Sequence, residues 1–196
     1  LVADHDGITA RQSIPAPAQF YSELLRGEEN VAAGNKFYPD QDELISDIGQ
    51  AYHDLILALY DEGCRDVKID DCTWGMVVDH DFWEHQTNGE YDLNELQDIY
   101  LKLNNTALRD LPEDLRVSTH VCRGNYHSTW AAKGGYAPVA SHLLAQEKVD
   151  AFYLEFDDDR SGDFAPLAEV PDGKQVVLGL VTSKKPELES KQTLVE

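Results

Sequence analysis

The sequence predicts an α/β fold in which helices cover a parallel sheet. Short apolar runs alternate with longer segments whose apolar residues recur at helical spacing, and this strand–helix unit repeats about four times. The polar residues of chemical interest stand where strands end, which is typical of both barrels and doubly wound sheets. No G-x-G-x-x-G motif follows a strand, which argues against a nucleotide-binding sheet. A complete barrel has about 250 residues, so a barrel in this 196-residue chain would be incomplete.

The first part of the chain predicts one strand, one helix and a loop. Residues 11–14 form a short strand that ends at Pro15, because proline cannot donate to a ladder. A short helix follows over residues 18–26. Residues 28–37 are polar and contain glycine, so we expect a surface loop there.

Two long helices are predicted from their caps and their apolar periodicity. Asp40 caps the first, which stops at Gly63, and Asp92 caps the second, which ends before Pro112. Between them, residues 80–91 are predicted to form a loop rich in aromatic and acidic residues. Each helix has one apolar stripe and a charged outer face. The stripes consist of Leu44, Ile45, Ile48, Tyr52, Leu55, Ile56 and Leu59, and of Leu93, Leu96, Ile99, Tyr100 and Leu103.

The remaining strands are short and apolar. In the strand over residues 67–71, Lys68 and Asp70 share one face because side chains alternate along a strand, and residues 72–75 form the turn that follows. The other predicted elements are a strand from Leu115 to the turn at Gly124, a helix over about 138–146, and strands over 151–156 and 175–181.

Composition excludes several function classes. The chain has 16 Lys and Arg against 37 Asp and Glu, which gives a net charge of −21. Such a charge opposes binding to nucleic acid and to anionic membrane surfaces. No run reaches the length of a transmembrane helix, and no segment resembles a signal peptide. Three cysteines do not make a disulfide framework, so we expect a cytoplasmic protein.

Both ends of the chain are expected to be cut. Leu1 begins with neither a start signal nor a cap, and the segment that starts at Pro186 is typical of the beginning of a helix. We therefore expect residues 1–196 to form a single partial domain that lacks strands on both sides. The strands next to the ends should expose apolar faces, which missing residues or a second copy of the chain, as in a homo-oligomer, would cover.

His120 and Cys122 form the first half of a candidate metal site. They lie two residues apart on a strand, so their side chains point the same way. Imidazole and thiolate are the ligand types that zinc favours most. The pair alone is weak evidence, because His-x-Cys occurs by chance and a buried Cys usually acts as a small hydrophobe.

Glu155 forms the second half of that site. It stands in the apolar segment 151–156, where a lone carboxylate is costly to bury unless a partner compensates its charge. Zinc would be such a partner. The alternative is a glutamate at the mouth of the strand, half in water and paired with Arg160. Because both motifs occur in consecutive strand–helix units, the metal site is the better interpretation.

Several ordered blocks resemble the cobalamin-independent methionine synthase family, and in particular its shorter members, which lack the duplicated amino-terminal barrel. The resemblance covers roughly residues 11–189, which makes it more specific than any single motif. The blocks are Ser-Ile-Pro-Ala-Pro at 13–17, Lys-Ile-Asp-Asp at 68–71, His-Val-Cys-Arg-Gly-Asn at 120–125, Leu-Glu-Phe-Asp at 154–157, Ser-Gly-Asp-Phe at 161–164 and Leu-Gly-Leu-Val-Thr-Ser-Lys at 178–184.

The resemblance implies a (β/α)8 TIM barrel that holds zinc at its mouth, of which this chain represents four or five β/α units. In the family, zinc binds the sulfur of homocysteine, and a methyl group passes to that sulfur from 5-methyltetrahydrofolate to give methionine. His120, Cys122 and Glu155 match three zinc ligands, and Asp70 matches a carboxylate that holds the amino group of the substrate.

The family's fourth ligand is a second cysteine that lies beyond the helix opening at Pro186, where this sequence has ended. Neither Cys64 nor Cys72 matches that position. We therefore expect this chain to hold either no zinc or a zinc site completed by water, buffer or a substitute ligand, and to be inactive by itself.

The chemistry of these residues agrees with the resemblance. A free thiol has a pKa of about 8.5 and is a poor nucleophile near neutrality, whereas a zinc-bound thiol is deprotonated. Asp70 would anchor the ammonium end of the thiol substrate and set the line of attack. Arg123 and Asn125 stand just past the ligands and are candidate substrate-binding residues.

Two other features have competing interpretations. Residues 157–162 imitate the start of an EF-hand loop, but the twelfth position is Ala168 instead of Glu, so we expect a solvated loop. Trp74, Trp83 and Trp130 either line a pteridine pocket or fill gaps between loops and barrel.

Two rival functions stay open at this point. A zinc-dependent hydrolase would hold water at the open metal position, although such enzymes usually use His- and Asp-rich ligand sets, and Cys122 argues against one. A non-catalytic barrel fragment would fold or oligomerise without turnover.

Overall fold

A five-stranded parallel sheet organises the computed structural model, which describes residues 7–82 and 92–195. Its strands are β1 (Gln12–Pro15), β2 (Asp66–Asp70), β3 (Arg116–Val121), β4 (Ala151–Glu155) and β5 (Gln175–Gly179). The strands lie side by side in the order of the sequence. A doubly wound sheet reverses its order at a switch point, whereas a barrel does not. The predicted fold class is therefore confirmed as a partial TIM-barrel-like sheet.

Helices lie between the strands. They are α1 (Pro17–Leu24), α2 (Glu28–Phe37), α3 (Gln41–Asp61), α4 (Thr73–Val77), α5 (Leu93–Ala107), α6 (Leu143–Gln146) and α7 (Lys191–Val195). The two predicted caps are confirmed: Asp40 accepts the N–H of Asp42, and Asp92 accepts those of Asn94 and Glu95. Of the helices within 7–82 and 92–195, none combines the length and the apolar character needed to span a membrane.

The central strands have one apolar face and one polar face. The outer face packs in a single core with the apolar stripes of α3 and α5. The inner face, which corresponds to the interior of a barrel, is half-exposed. Outer-face residues are Val67, Ile69, Val117, Val121, Phe152 and Leu154, and half-exposed inner-face residues are Lys68, Asp70, His120, Tyr153 and Glu155.

The edge strand β5 exposes apolar side chains on both faces. Val177 and Leu178 point to opposite sides of the sheet, and they are 39% and 38% exposed. Apolar exposure was expected on the strands next to both ends of the chain; β5 shows it, whereas Ile14 of the opposite edge strand β1 is buried.

The loop predicted over residues 28–37 is wrong, because the segment is helix α2. Glu28 and Glu29 lie in its first turn and Lys36 in its last, which complements the helix dipole. Alanine and glutamate also favour helix. The helix buries none of its residues, so it lacks the apolar stripe by which α3 and α5 were found.

Three other boundaries differ from the prediction. The turn predicted over residues 72–75 is largely helix α4. The helix predicted over about 138–146 is divided into a 3-10 turn (Ala137–Val139) and α6. The terminal helix begins at Lys191, because Ser190 and not Pro186 provides its cap, with its hydroxyl accepting the N–H of Thr193. Of the loop predicted over 80–91, residues 80–82 are helical, and residues 83–91 lie outside the described residues.

Candidate metal and thiol site at the strand ends

The four residues predicted for the site lie at the carboxyl ends of three neighbouring strands. Asp70 ends β2 and Glu155 ends β4, while His120 and Cys122 stand at the end of β3. The register pairs Asp70 with His120, and it pairs Val121 with Leu154, so Cys122 and Glu155 come next in neighbouring strands. Because all strands are parallel, their carboxyl ends lie at the same end of the sheet.

His120 and Cys122 lie close enough to shift each other's pKa. Their side chains lie on the inner face, and both residues are half-buried. The pKa of His120 is raised because its ring hydrogen-bonds the sulfur of Cys122. The pKa of the Cys122 thiol is lowered, first by a hydrogen bond with Cys72 and then by those from His120 and from the backbone N–H of Gly124. The environment therefore stabilises a thiolate at Cys122.

The sequence did not reveal the contact between Cys72 and Cys122. The two Sγ atoms are 2.6 Å apart. Cys72 follows Asp70 by two residues, as Cys122 follows the register partner His120, and this spacing is the one signal that could have found the contact. The hydrogen bond to Cys122 and burial both raise the pKa of Cys72. The positions of the two sulfurs allow either one to be the donor.

Asp70 shares its face with Lys68, as predicted. The Lys68 Nζ lies 2.9 Å from Asp70 Oδ1, and the Asp70 side chain is 41% exposed. An incoming ammonium group could therefore reach this carboxylate, in competition with Lys68.

Glu155 lies among nitrogen donors. Its Oε1 accepts a hydrogen bond from Asn125 Nδ2 at 3.1 Å. Its Oε2 is buried and has no hydrogen-bond partner, with Arg123 Nη1 at 3.8 Å and Arg160 Nη2 at 3.7 Å. Pairing with Arg160, which was the alternative to a metal role, is present as an ion pair at 3.7 Å. Arg160 contacts Asp157 and Asp158 more closely, at 2.9 Å and 2.6 Å.

Arg123 is built into the wall of the site. It is fully buried, and it donates to the carbonyl of Gly134 and to the hydroxyl of Tyr136. That hydroxyl also accepts the backbone N–H of Glu155 at 2.9 Å. Arg123 therefore holds the end of β4 through Tyr136, and its substrate-binding role stays a prediction.

The acidic loop after β4 is more buried than the solvated loop that was predicted. Arg160 bridges the carboxylates of Asp157 and Asp158, and the side chains of Arg160 and Asp157 are each only 6% exposed. Ser161 is buried. The loop therefore forms a packed rim beside Glu155, because the guanidinium compensates acids that would otherwise repel one another.

The tryptophans occupy different places. Trp74 is buried on the outer side, where its ring meets the edge of Tyr100 at 5.9 Å. Trp130 is half-exposed at the rim, with the Arg160 guanidinium 4.9 Å from its ring. Trp83 lies outside the described residues. Of the described pair, only Trp130 is placed where a ligand could reach it.

A buried polar cluster lies directly behind the site. Glu147 and Asp71 are fully enclosed. The Asp71 carboxylate accepts hydrogen bonds from the hydroxyl and N–H of Thr73 and from Asn104 Nδ2, the last at 2.7 Å. Burial raises the pKa of Asp71. The cluster was not predicted, because nothing in the sequence distinguishes Glu147 from a surface acid.

Glu147 has the most unusual environment of the buried acids. Burial, and then the charge of Asp71, raise its pKa to about 8. Polar atoms of Asn104, Trp74 and Thr119 face the carboxyl group. Neither of its oxygens has a partner at full hydrogen-bond geometry. Glu147 is therefore protonated at neutral pH.

The donor set fits zinc in kind, although the side chains are not gathered around one point. Imidazole, thiolate and carboxylate are ordinary zinc ligands, and the partnerless Oε2 of Glu155 is an oxygen that a cation would satisfy. Within the described part of the chain, no three His, Cys, Asp or Glu side chains are gathered closely enough to hold a metal ion. Glu155 would have to turn from Asn125 to join His120 and Cys122.

Comparisons with known proteins place the chain beside longer relatives. No family model matches it. Two Bacillus subtilis (strain 168) proteins, the uncharacterized proteins YxjH and YxjG, are 42% and 37% identical to it over 183 residues. Each match covers 93% of this chain and 47% of the relative. The chain therefore spans about half the length of the curated relatives it matches.

A solved structure is similar over almost the whole chain. It is the crystal structure of the "Putative Vitamin-B12 Independent Methionine Synthase" from Listeria monocytogenes, with a TM-score of 0.73 and 27% sequence identity. The match covers 98% of this chain and 52% of that chain. The two proteins therefore share the fold of this region.

Proposed function

We propose that this chain is the zinc-holding part of an S-methyltransferase of the cobalamin-independent methionine synthase type. The reaction would move a methyl group from 5-methyltetrahydrofolate to a thiol such as homocysteine, giving methionine. The observation that supports this most is that Asp70, His120, Cys122 and Glu155 lie together at the carboxyl ends of three neighbouring strands. The similarity to the Listeria monocytogenes structure points the same way.

His120, Cys122 and Glu155 would hold the metal. When bound, zinc would supply the positive charge that deprotonates a thiol substrate and keeps its sulfur nucleophilic. The protein's own contribution is a pair of donors, His120 and Cys122, held together on one strand. Glu155 adds a carboxylate whose strand end is fixed through Tyr136.

Asp70 would hold the ammonium group of the thiol substrate. Its carboxylate stands one strand away from His120 and is reachable from the inner face. Binding would replace the contact with Lys68 by a contact with the substrate. An amino acid held at Asp70 would present its side chain towards Cys122, which fits a thiol amino acid better than a simple thiol.

The proposal includes a cytoplasmic location, whose reducing conditions keep thiolates available for metal binding. The net charge of −21 also fits a small-molecule substrate better than nucleic acid. A hydrolase is less suited to this donor set, because a thiolate lowers the acidity that zinc confers on bound water.

Zinc affinity tests the proposal through two cysteines of the same chain. The reduced chain is titrated with zinc against a chromophoric chelator, together with Cys122→Ser and Cys64→Ser. Cys64 is the matched control, because it is also half-buried but donates to the carbonyl of Asp66, away from the site. We expect Cys122→Ser to weaken binding at least tenfold and Cys64→Ser to leave it unchanged. Equal affinity in all three proteins would refute the ligand assignment.

A further inference from the structure

Cys72 and Cys122 are brought together by the backbone. Their strands are adjacent and parallel, and the N–H of Asp71 bonds the carbonyl of His120 at 2.8 Å. Neighbouring strands lie about 4.7–4.9 Å apart, which is inside the Cα separation of about 4.4–6.8 Å that a disulfide requires. The two cysteines therefore face each other across a spacing suited to a covalent bond.

Two further contacts fix the position of Cys72. The carboxylate of Asp71 binds the N–H and hydroxyl of Thr73, which sets the turn into α4. A Cβ at Gly75 would lie 2.1 Å from the carbonyl oxygen of Cys122, so α4 sits directly on the end of β3. Only glycine permits this approach. The packing of α4 against the end of β3 therefore keeps the two sulfurs facing each other.

We propose that Cys72 and Cys122 are a redox-active dithiol that closes to a disulfide on exposure to a hydroperoxide. Their Sγ atoms are already 2.6 Å apart, and a disulfide needs a further approach of about 0.5 Å. Both residues are half-buried, which leaves a path for a small oxidant. Cys64 has no thiol partner among the described residues, so the reaction is selective for this pair.

The reaction balances with the hydroperoxide as the only oxidant. The sulfur of Cys122 takes the terminal oxygen of the hydroperoxide, which leaves an alcohol, or water from hydrogen peroxide, and a sulfenic acid on Cys122. The sulfur of Cys72 then attacks the sulfenic sulfur, and the hydroxyl leaves as water with the proton of the Cys72 thiol. Two thiols lose two electrons in total, and one O–O bond is broken.

The consequence for the metal site rests on the proposed function. A sulfur bound in a disulfide is no longer a thiolate donor, so oxidation would remove Cys122 from the ligands of zinc. Reduction by a dithiol would restore it. Oxidation would therefore switch off zinc binding reversibly, and Cys72 would protect Cys122 from irreversible oxidation to a sulfinic acid.

The cross-link can be assigned without ambiguity. Trypsin leaves Cys64, Cys72 and Cys122 on three separate peptides, covering residues 37–65, 69–102 and 117–123. The reduced, metal-free chain is treated with hydrogen peroxide, alkylated, digested and analysed by mass spectrometry. We expect the second and third peptides to be joined and Cys64 to be alkylated. Absence of this cross-link, or an equal yield of a Cys64 cross-link, would overturn the inference.

A second arm separates this inference from the proposed function. Zinc binding is measured before peroxide, after peroxide and after dithiothreitol, in the wild type and in Cys72→Ser. We expect reversible loss in the wild type and, in Cys72→Ser, normal initial binding followed by irreversible loss. If Cys72→Ser binds zinc as poorly as Cys122→Ser, then Cys72 is a ligand, and the inference is wrong. A cross-link together with a zinc affinity that is equal in the reduced wild type and in Cys122→Ser would refute the ligand assignment of the proposed function alone.

Discussion

The outer and inner faces of the sheet differ in what their side chains contact. On the outer face, residues such as Val67, Val117 and Phe152 are sealed beneath helices. On the inner face, Asp70, His120 and Glu155 are polar and partly exposed. The two sets alternate along the same strands, so a residue that stabilises the core is followed directly by a residue that faces the candidate site. A substitution on the outer face should therefore lower stability, whereas a substitution at the adjacent inner-face position should leave stability nearly unchanged.

The largest effect on stability is expected at Phe152. Its side chain is fully buried on the outer face, so Phe152→Ala should lower the free energy of unfolding by about 3–5 kcal/mol. Tyr153→Phe is the matched control on the inner face, where it removes only the hydroxyl that accepts from Arg11. The control should cost about 1 kcal/mol or less in denaturant unfolding. Similar losses in the two variants would show that the faces do not differ as described.

A comparable effect, but spread over several pH units, is expected from Glu147. Its folded pKa of about 8 exceeds the unfolded value of 4.5, so between these values the folded state holds a proton that the unfolded state has lost. Stability should therefore fall as pH rises through this window, by about 1.4 kcal/mol per pH unit at most. Asp71 and Lys174 are the charged groups that face Glu147.

Glu147→Gln isolates this contribution. The amide keeps the shape of the side chain but does not titrate, so the variant should lose stability less steeply between about pH 5 and 8. Groups common to both proteins, including His120 and Cys122, cancel in the difference between the two curves. Parallel curves for wild type and variant would show that Glu147 is charged in the folded protein.

The smallest effect on stability is expected at Asp70. Its carboxylate is 41% exposed and pairs with Lys68, and such ion pairs contribute about 0–1 kcal/mol. Asp70→Asn should therefore leave stability and zinc affinity nearly unchanged. Calorimetry should show weaker binding of homocysteine to the zinc-loaded variant. Unchanged homocysteine affinity would remove Asp70 from the substrate site.

The sequence predicted elements that have a local signature. The caps at Asp40 and Asp92 and the apolar stripes of α3 and α5 are encoded within a few residues, and the structure has them where they were expected, except that Leu55 of α3 is 42% exposed. Helix α2 was missed because it buries no residue and thus has no stripe. The alternation of strand and helix was enough to predict an α/β fold with a parallel sheet. The strand order was needed to distinguish a barrel from a doubly wound sheet.

The site was predictable in part for the same reason. The same-face relation of His120 to Cys122 follows from their spacing alone. The contact of Cys72 with Cys122 depends on the register of two strands that are 50 residues apart, and no local pattern carries that register. The enclosure of Glu147 depends on the packing of distant helices against the sheet, so its raised pKa could not be read from its neighbours in sequence.

X-ray absorption at the zinc edge tests the central proposal most directly. In the zinc-loaded, reduced chain we expect one sulfur at about 2.3 Å, from Cys122, with nitrogen and oxygen ligands at about 2.0–2.2 Å. Addition of homocysteine should raise the sulfur count from one to two, as the thiol of the substrate joins the metal. A spectrum without sulfur, or a sulfur count that homocysteine leaves unchanged, would contradict a zinc site that activates a thiol.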